Sequence, residues 1–226
     1  MHSLSLPDRL LQCVRLRRHA VRPGTAVFRP QTPLTELHLV RSGVFKVCVT
    51  TRDGREKLLA LRFAGDWLGF DGIAEGRHAC EATAVEAGEV WSMRYDEVLQ
   101  ACVECNELAA LMRKAMSDEM ARDRAAMKCL CTLSADARVA NFLRTWIETL
   151  ARHGARTDRI TLHLTRAEIG NYLGLTLESV SRAFSRLARE DVIRFAEPTH
   201  REMEIRDAGA LSRFVQAVPG GRIAAC

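Results

Sequence analysis

The sequence predicts an α+β chain: a small antiparallel β barrel, one long helix, then a compact helical domain closed by a β-hairpin. Three observations carry this. Residues 20 to 100 hold short apolar runs separated by glycine turns. Residues 95 to 130 contain neither glycine nor proline and repeat apolar residues at helical spacing. Residues 134 to 205 run helix, strand, helix, turn, helix, hairpin.

Leu37-His-Leu-Val-Arg-Ser-Gly43 reads as a strand ending in a glycine turn, and Val44-Phe-Lys-Val-Cys-Val49 as the next, with alternation. Asp53-Gly54 separates it from Lys57-Leu-Leu-Ala-Leu-Arg-Phe63 and signals a hairpin. After a loop-rich stretch punctuated by Gly65, Gly69, Gly72 and Gly76 come Glu81–Glu86 and Glu89–Met93. Short strands at this spacing suggest a jelly roll. From Tyr95 to about Leu130 the pattern is helical. Met116, Met120, Asp123, Met127 and Leu130 are spaced 4, 3, 4, 3, a heptad seam that, with Met112 one turn before it, predicts packing on a second copy of the chain. Two Asp123 carboxylates would meet across such a seam, with Glu119 beside them, and would weaken it unless paired.

Ser134 reads as the N-cap of a helix ending near His153, closed by Gly154. Ile160–Leu164 alternates like a strand. Two helices follow, and Ile193–Phe195 with Met203–Ile205 flank a turn containing Pro198. The expected division is 1–106 for the barrel, 107–133 for the long helix and 134–226 for the last domain, with the boundary near Leu133.

Of 226 residues, 47% are hydrophobic and 27% charged, which excludes a mainly disordered chain. No run of 18 apolar residues exists to span a membrane. The opening MHSLSLPDRLLQ lacks the basic and apolar blocks of a secretory signal, so a cytoplasmic location is expected. The net charge of +5 tolerates a polyanion without demanding one. From Ser134 onward 14 basic and 11 acidic residues give only +3, so an argument for DNA needs a motif. Of the eight cysteines, Cys102/Cys105 and Cys129/Cys131 form close pairs. Along one helix these pairs lie about 39 Å apart, too far to share a metal ion, so no metal is expected and a thiol role stays open. The chain lacks Gly-x-Ser-x-Gly, His-Glu-x-x-His and P-loop patterns, and no catalytic residues or enzymatic activity are expected.

The window Arg166 to Ser185 carries the function. Gly170 sits where two helices cross, and Gly174 where a turn needs positive φ. Ile169, Leu173, Leu175, Val180 and Ala183 fill the inward sites. Thr165 and Thr176 stand at the two N-caps, with Ser179 at the third position of the second helix. This is a helix-turn-helix, and the hairpin after it makes a winged helix. The second helix would enter a major groove by its N-terminal end. There Glu178, Ser181 and Arg182 share one face: Glu178 suits cytosine N4, Arg182 suits guanine O6 and N7, and Ser181 suits either role. Thr165, Arg166, Thr176, Ser179, Arg186 and Arg189 are the candidates for phosphate contacts.

Gly170-Asn-Tyr-Leu-Gly-Leu-Thr176 with Glu178-x-x-Ser181-Arg182 resembles the Fnr branch of the Crp/Fnr transcription factors, as do Arg41-Ser-Gly43 and Phe63–Asp71. The resemblance runs from about residue 20 to 215. It implies a cyclic-nucleotide-binding-type jelly roll, a dimer helix and a winged helix-turn-helix. It also implies a homodimer on TTGAT-N4-ATCAA-like double-stranded DNA, with RNA polymerase as a further partner. Two departures from the branch stand out. The N-terminal segment has only Cys13, and Ser92 occupies the barrel position where the iron–sulfur members carry cysteine. Against the cyclic AMP branch, Gly65-Asp66 stands at the ribose pair and His78-Ala79 at the phosphate pair, with Arg77 adjacent. Haem is a further family effector, for which His38, His78 and the cysteines supply possible ligands. None of the three cofactors is expected. The alternative is a small-ligand sensor whose helix-turn-helix does not read sequence.

Overall fold

The computed structural model describes residues 13–196, 201–205 and 207–217. The turn holding Pro198 lies outside them. The chain forms two compact units that part between Asp123 and Arg124.

In the first unit, two four-stranded antiparallel sheets face each other. One has the order β1 (Arg17–Val21), β8 (Gly88–Arg94), β3 (Glu36–Ser42), β6 (Trp67–Leu68). The other runs β2 (Ala26–Phe28), β7 (Glu81–Ala84), β4 (Phe45–Thr50), β5 (Glu56–Arg62). β3 is buried on both faces, which explains its near-continuous apolar run. Leu37 and Leu39 join Trp67, Trp91 and Met93 in the cluster that packs on the helices. Val40 joins Phe28, Phe45, Leu68 and Val90 in another. Asp53-Gly54 does lie between β4 and β5, in a loop tied by bonds between Thr51 and Arg55. The sequence did not resolve β1, β2 and β6, which are short or highly exposed.

His38 lies in β3 one position from each leucine and is only 6% exposed. Its Nδ1 sits 2.7 Å from the Ser92 hydroxyl, and Phe28 stacks on both His38 and His78. Burial, then the neighbouring His78 and His19, bring the His38 pKa from 6.5 down to about 4. The unfolded chain therefore takes up this proton near pH 6.5 while the folded chain refuses it. Stability is full above pH 6.5 and falls as the pH drops toward 4, by at most about 3 kcal/mol from this group. Thermal unfolding between pH 7.5 and 5 should show this loss, and His38→Gln, which can keep a bond to Ser92, should flatten it. An identical slope in the variant would assign the loss to other groups.

The predicted single helix over Tyr95–Leu130 is two: α1 (Tyr95–Glu104) and α2 (Asn106–Thr132). Cys105 breaks them apart with φ −127° and ψ 97°. Neither glycine nor proline marks the break. Val98, Ala101, Leu108 and Met112 pack on the leucine-lined side of β3. Met112 therefore belongs to the core of its own barrel and leaves the predicted seam. The reason is that α2 has a barrel-facing side, which a heptad count cannot separate from a partner-facing one. That side also carries charge. Glu119 holds buried Arg62 at 2.7 Å, and Asp123 lies 3.9 Å from the same guanidinium. Burial opposes the charge on Arg62, yet Glu119, with Asp66 and Asp123 behind it, holds its pKa above the ordinary value. Arg122 pairs with Asp66 at 3.3 Å, and Asp66 also accepts the Phe63 N–H. Asp123 thus already has a cation within its own unit. Met120 and Met127 remain well exposed, Leu130 less so, and Met116 is half-buried.

The second unit begins inside α2. Cys129 and Leu133 pack on Ala137 of α3 (Ala135–Arg152), so the compact units part ten residues before the boundary read at Leu133. Ser134 is the N-cap of α3 as expected, but its hydroxyl makes no capping bond; it is buried without a partner among the described residues. After β9 (Arg159–Thr161) come α4 (Arg166–Leu173), α5 (Leu177–Arg189), β10 (Arg194–Phe195), β11 (Glu202–Glu204) and α6 (Ala208–Ala217). The last three strands form one sheet, ordered β10-β11-β9. The expected hairpin is thus joined by the expected short strand. The sequence reading had not singled out α6, which lies against α3.

Candidate nucleic-acid interface

The helix-turn-helix is built by its caps and its two glycines. Thr165 and Glu168 form a reciprocal capping box: the Thr165 hydroxyl accepts the Glu168 N–H, and a Glu168 oxygen accepts the Thr165 N–H. α4 stops at Gly174, whose φ of +64° is the left-handed value the turn requires. The Leu175 N–H then bonds back to the Gly170 carbonyl at 2.8 Å. A Cβ on Gly170 would lie 2.7 Å from the Leu175 carbonyl oxygen, so only glycine lets the turn fold over α4. Thr176 opens α5, its hydroxyl accepting the Ser179 N–H at 3.2 Å. Val180, Ala183, Phe184 and Leu187 are buried, which fixes the opposite face of α5 outward.

Glu178 and Arg182 stand exposed on that face, with half-buried Ser181 between them. The N–H at the helix start, then the Thr176 hydroxyl and more weakly Arg182, hold the Glu178 carboxyl below its usual range. A carboxylate at this position can accept from cytosine N4. The sequence reading passed over Leu177, half exposed in the first turn of α5, one turn before Ser181. Its signal was available: an apolar residue at the start of a helix whose buried positions lie elsewhere.

The phosphate candidates divide. Thr165, Thr176 and Ser179 cap helices with their side chains or backbone, as described above. Arg189 is exposed. Arg166 instead lies over the Phe184 ring, 3.3 Å from its centroid, with Phe195 of β10 at 5.5 Å. Burial brings its pKa down to about 10. It braces the first wing strand against α5, a cation–π role that a linear motif does not reveal. Arg186 pairs with Asp136 at 2.9 Å and with Glu190 at 3.2 Å, so its charge is largely answered within the protein. Arg138 adds a link that the sequence did not show. It donates to the carbonyls of Leu133, just past α2, and of Leu173, at the end of α4.

The buried hydroxyl of Ser92 is bonded to His38, and no three His, Cys, Asp or Glu side chains among the described residues form a metal-binding group. Asp66, at the proposed ribose pair, is committed to Arg122 and Phe63, and His78 is stacked against Phe28.

A jelly roll followed by a long helix and a winged helix-turn-helix with a bare outer face defines a DNA-binding regulator rather than an enzyme. Comparison with known proteins agrees. Residues 18–105 match the cyclic nucleotide-binding domain and residues 137–214 the Crp-like helix-turn-helix domain. The chain is 31% identical to the transcriptional regulatory protein btr of Bordetella pertussis, over 88% of this chain and 81% of that one. It is 29% identical to the fumarate and nitrate reduction regulatory protein of Escherichia coli, over 85% and 75%. Its fold is similar to that of FixK2 from Bradyrhizobium japonicum, with a TM-score of 0.78 and 24% identity over 94% of this chain and 100% of that one. The chain belongs to the Crp/Fnr family of transcriptional regulators. Among the described residues, no helix is long and apolar enough to cross a membrane.

Proposed function

We propose that the protein acts in the cytoplasm as a homodimer that reads a TTGAT-N4-ATCAA-like palindrome and works together with RNA polymerase. The observation that carries this reading is the outward face of α5, where Glu178, Ser181 and Arg182 sit at the end that enters a major groove. Arg182 reads guanine, Glu178 accepts from cytosine and Ser181 serves either role. Leu177 adds an apolar contact suited to a thymine methyl. Arg189 and the cap residues meet phosphates. The dimer seam consists of Met116, Met120, Met127 and Leu130. The barrel couples a signal to DNA binding through α2, because α2 contributes residues to both compact units and Arg138 ties its end to the turn after α4.

Anisotropy of a labelled palindrome against a scrambled duplex, at fixed salt, tests this. The native chain should prefer the palindrome, and Arg182→Ala should cost about 1–3 kcal/mol, roughly 5- to 150-fold in Kd, with relaxed choice at one base pair. Equal binding of both duplexes by the native chain, in air and again under anaerobic conditions with nucleotide or haem added, would leave a sensor whose helix-turn-helix does not read sequence. Undiminished binding by Arg182→Ala would remove the assigned base reader.

A further inference from the structure

The cysteines fall into two groups. Burial, then Glu56, pushes the Cys48 thiol up to about 12, and burial with Asp71 drives Cys80 in the same direction. Cys129 is raised by burial too, and its sulfur accepts from Asn141. These three are packing residues with little thiolate. Cys102 and Cys105 differ. Both are half-buried, both pack on the cluster that joins the barrel to its helices, and they are three residues apart at the end of α1. Helix geometry puts such Cα atoms about 5 Å apart. That lies inside the roughly 4.4–6.8 Å window that a disulfide spans. The α1–α2 break falls at Cys105, where φ and ψ turn extended while the N–H still bonds the Ala101 carbonyl and the carbonyl accepts the Ala109 N–H. The pair thus spans the junction of the two helices.

We propose that Cys102 and Cys105 form a reversible dithiol–disulfide site, oxidised by low-molecular-weight disulfides of the glutathione type. Burial, then Cys105 itself, holds the Cys102 thiol above its ordinary value, while Arg113 draws it back. The first attack is assigned to Cys105, which sits at the break between the helices. Its thiolate attacks one sulfur of the oxidant, forms a mixed disulfide and releases one thiolate, which takes up a proton. Cys102 then loses its proton and attacks the Cys105 sulfur, forming the internal disulfide and releasing the second thiol. Two protein thiols are oxidised and one external disulfide is reduced to two thiols, so electrons and protons balance. The bond fixes the end of α1 to the residue from which α2 starts. This site is independent of the DNA-reading assignment.

The test is equilibration of the reduced full chain with oxidised and reduced glutathione at graded ratios, followed by acid quenching, alkylation and peptide mass mapping. The expected result is a Cys102–Cys105 disulfide that appears as one two-electron transition and reverses with excess reduced glutathione. Cys102→Ser should instead stop at a glutathione adduct on Cys105. Cys102→Ala serves as a second variant should the serine perturb folding. Full alkylation of both cysteines at the most oxidising ratio would overturn the proposal. So would a persistent adduct in the native chain, or a bond from either cysteine to Cys13 or Cys131 instead.

Discussion

Glu119→Ala should destabilise the first unit by about 2–3 kcal/mol, because it leaves the Arg62 guanidinium buried with only the more distant Asp66 and Asp123 carboxylates to answer it. Arg62 is 5% exposed, so the charge cannot recover its hydration without opening the barrel end. Asp123, at 3.9 Å and largely exposed, offsets part of the loss, which keeps the figure below that for an isolated buried ion. Tm should fall by roughly 8 °C. Arg62→Met with Glu119→Leu removes both charges and should cost far less, since replacing a whole buried pair with apolar groups is often near neutral. If the single and double changes cost the same, the loss is one of packing and not of an uncompensated charge. Two residues of α2, Glu119 and Arg122, are held by charges at the barrel end, at Arg62 and Asp66.

Gly170→Val should cost about 2–3 kcal/mol in the second unit and abolish selective DNA binding. A Cβ there would press on the Leu175 carbonyl oxygen at 2.7 Å and on Val180 at 3.4 Å. Gly170 and Leu175 cannot move apart without losing the 2.8 Å bond between them. The recognition helix would therefore shift as a body, taking Glu178 and Arg182 with it. Gly154→Ala is the control. A Cβ at Gly154 meets nothing within 4 Å, so it carries only the cost of its φ of +69°, about 1–2 kcal/mol, and should leave duplex selectivity intact. Equal loss of selectivity in both variants would trace the defect to general instability.

The helix-turn-helix was legible because its requirements are local. A positive φ, a close helix crossing, two caps and a buried stripe each demand a residue type at a fixed offset, and the chain meets them from Thr165 to Leu187. The barrel strands were legible where alternation met glycine turns, and illegible at β1, which is mostly exposed, and at β2 and β6, which are three and two residues long. The break at Cys105 was hidden because a helix can end where packing redirects the chain without glycine or proline. Met112 reads as part of a partner-facing seam because periodicity finds an apolar stripe without naming what covers it. Arg166 and Arg186 were given to phosphates because a sequence shows a cation but not the ring or carboxylate across from it. Arg62 gave no signal at all: it ends an ordinary strand, and its partner is 57 residues away.

The placement of Cys129 and Leu133 over Ala137 has a practical consequence for dissecting the chain. A fragment begun at Ser134, the natural choice from the sequence, would cut away two of the three side chains of that cluster and bare Ala137 to water. It would also remove the Leu133 carbonyl, and the Arg138 guanidinium would lose one of the two acceptors that hold it beside the turn. A fragment begun at Arg124 carries its own cover. The last turns of the long helix thus belong to the packing of the helix-turn-helix domain, and a fragment meant to keep that packing starts within what a reader of the sequence would assign to the dimer stalk.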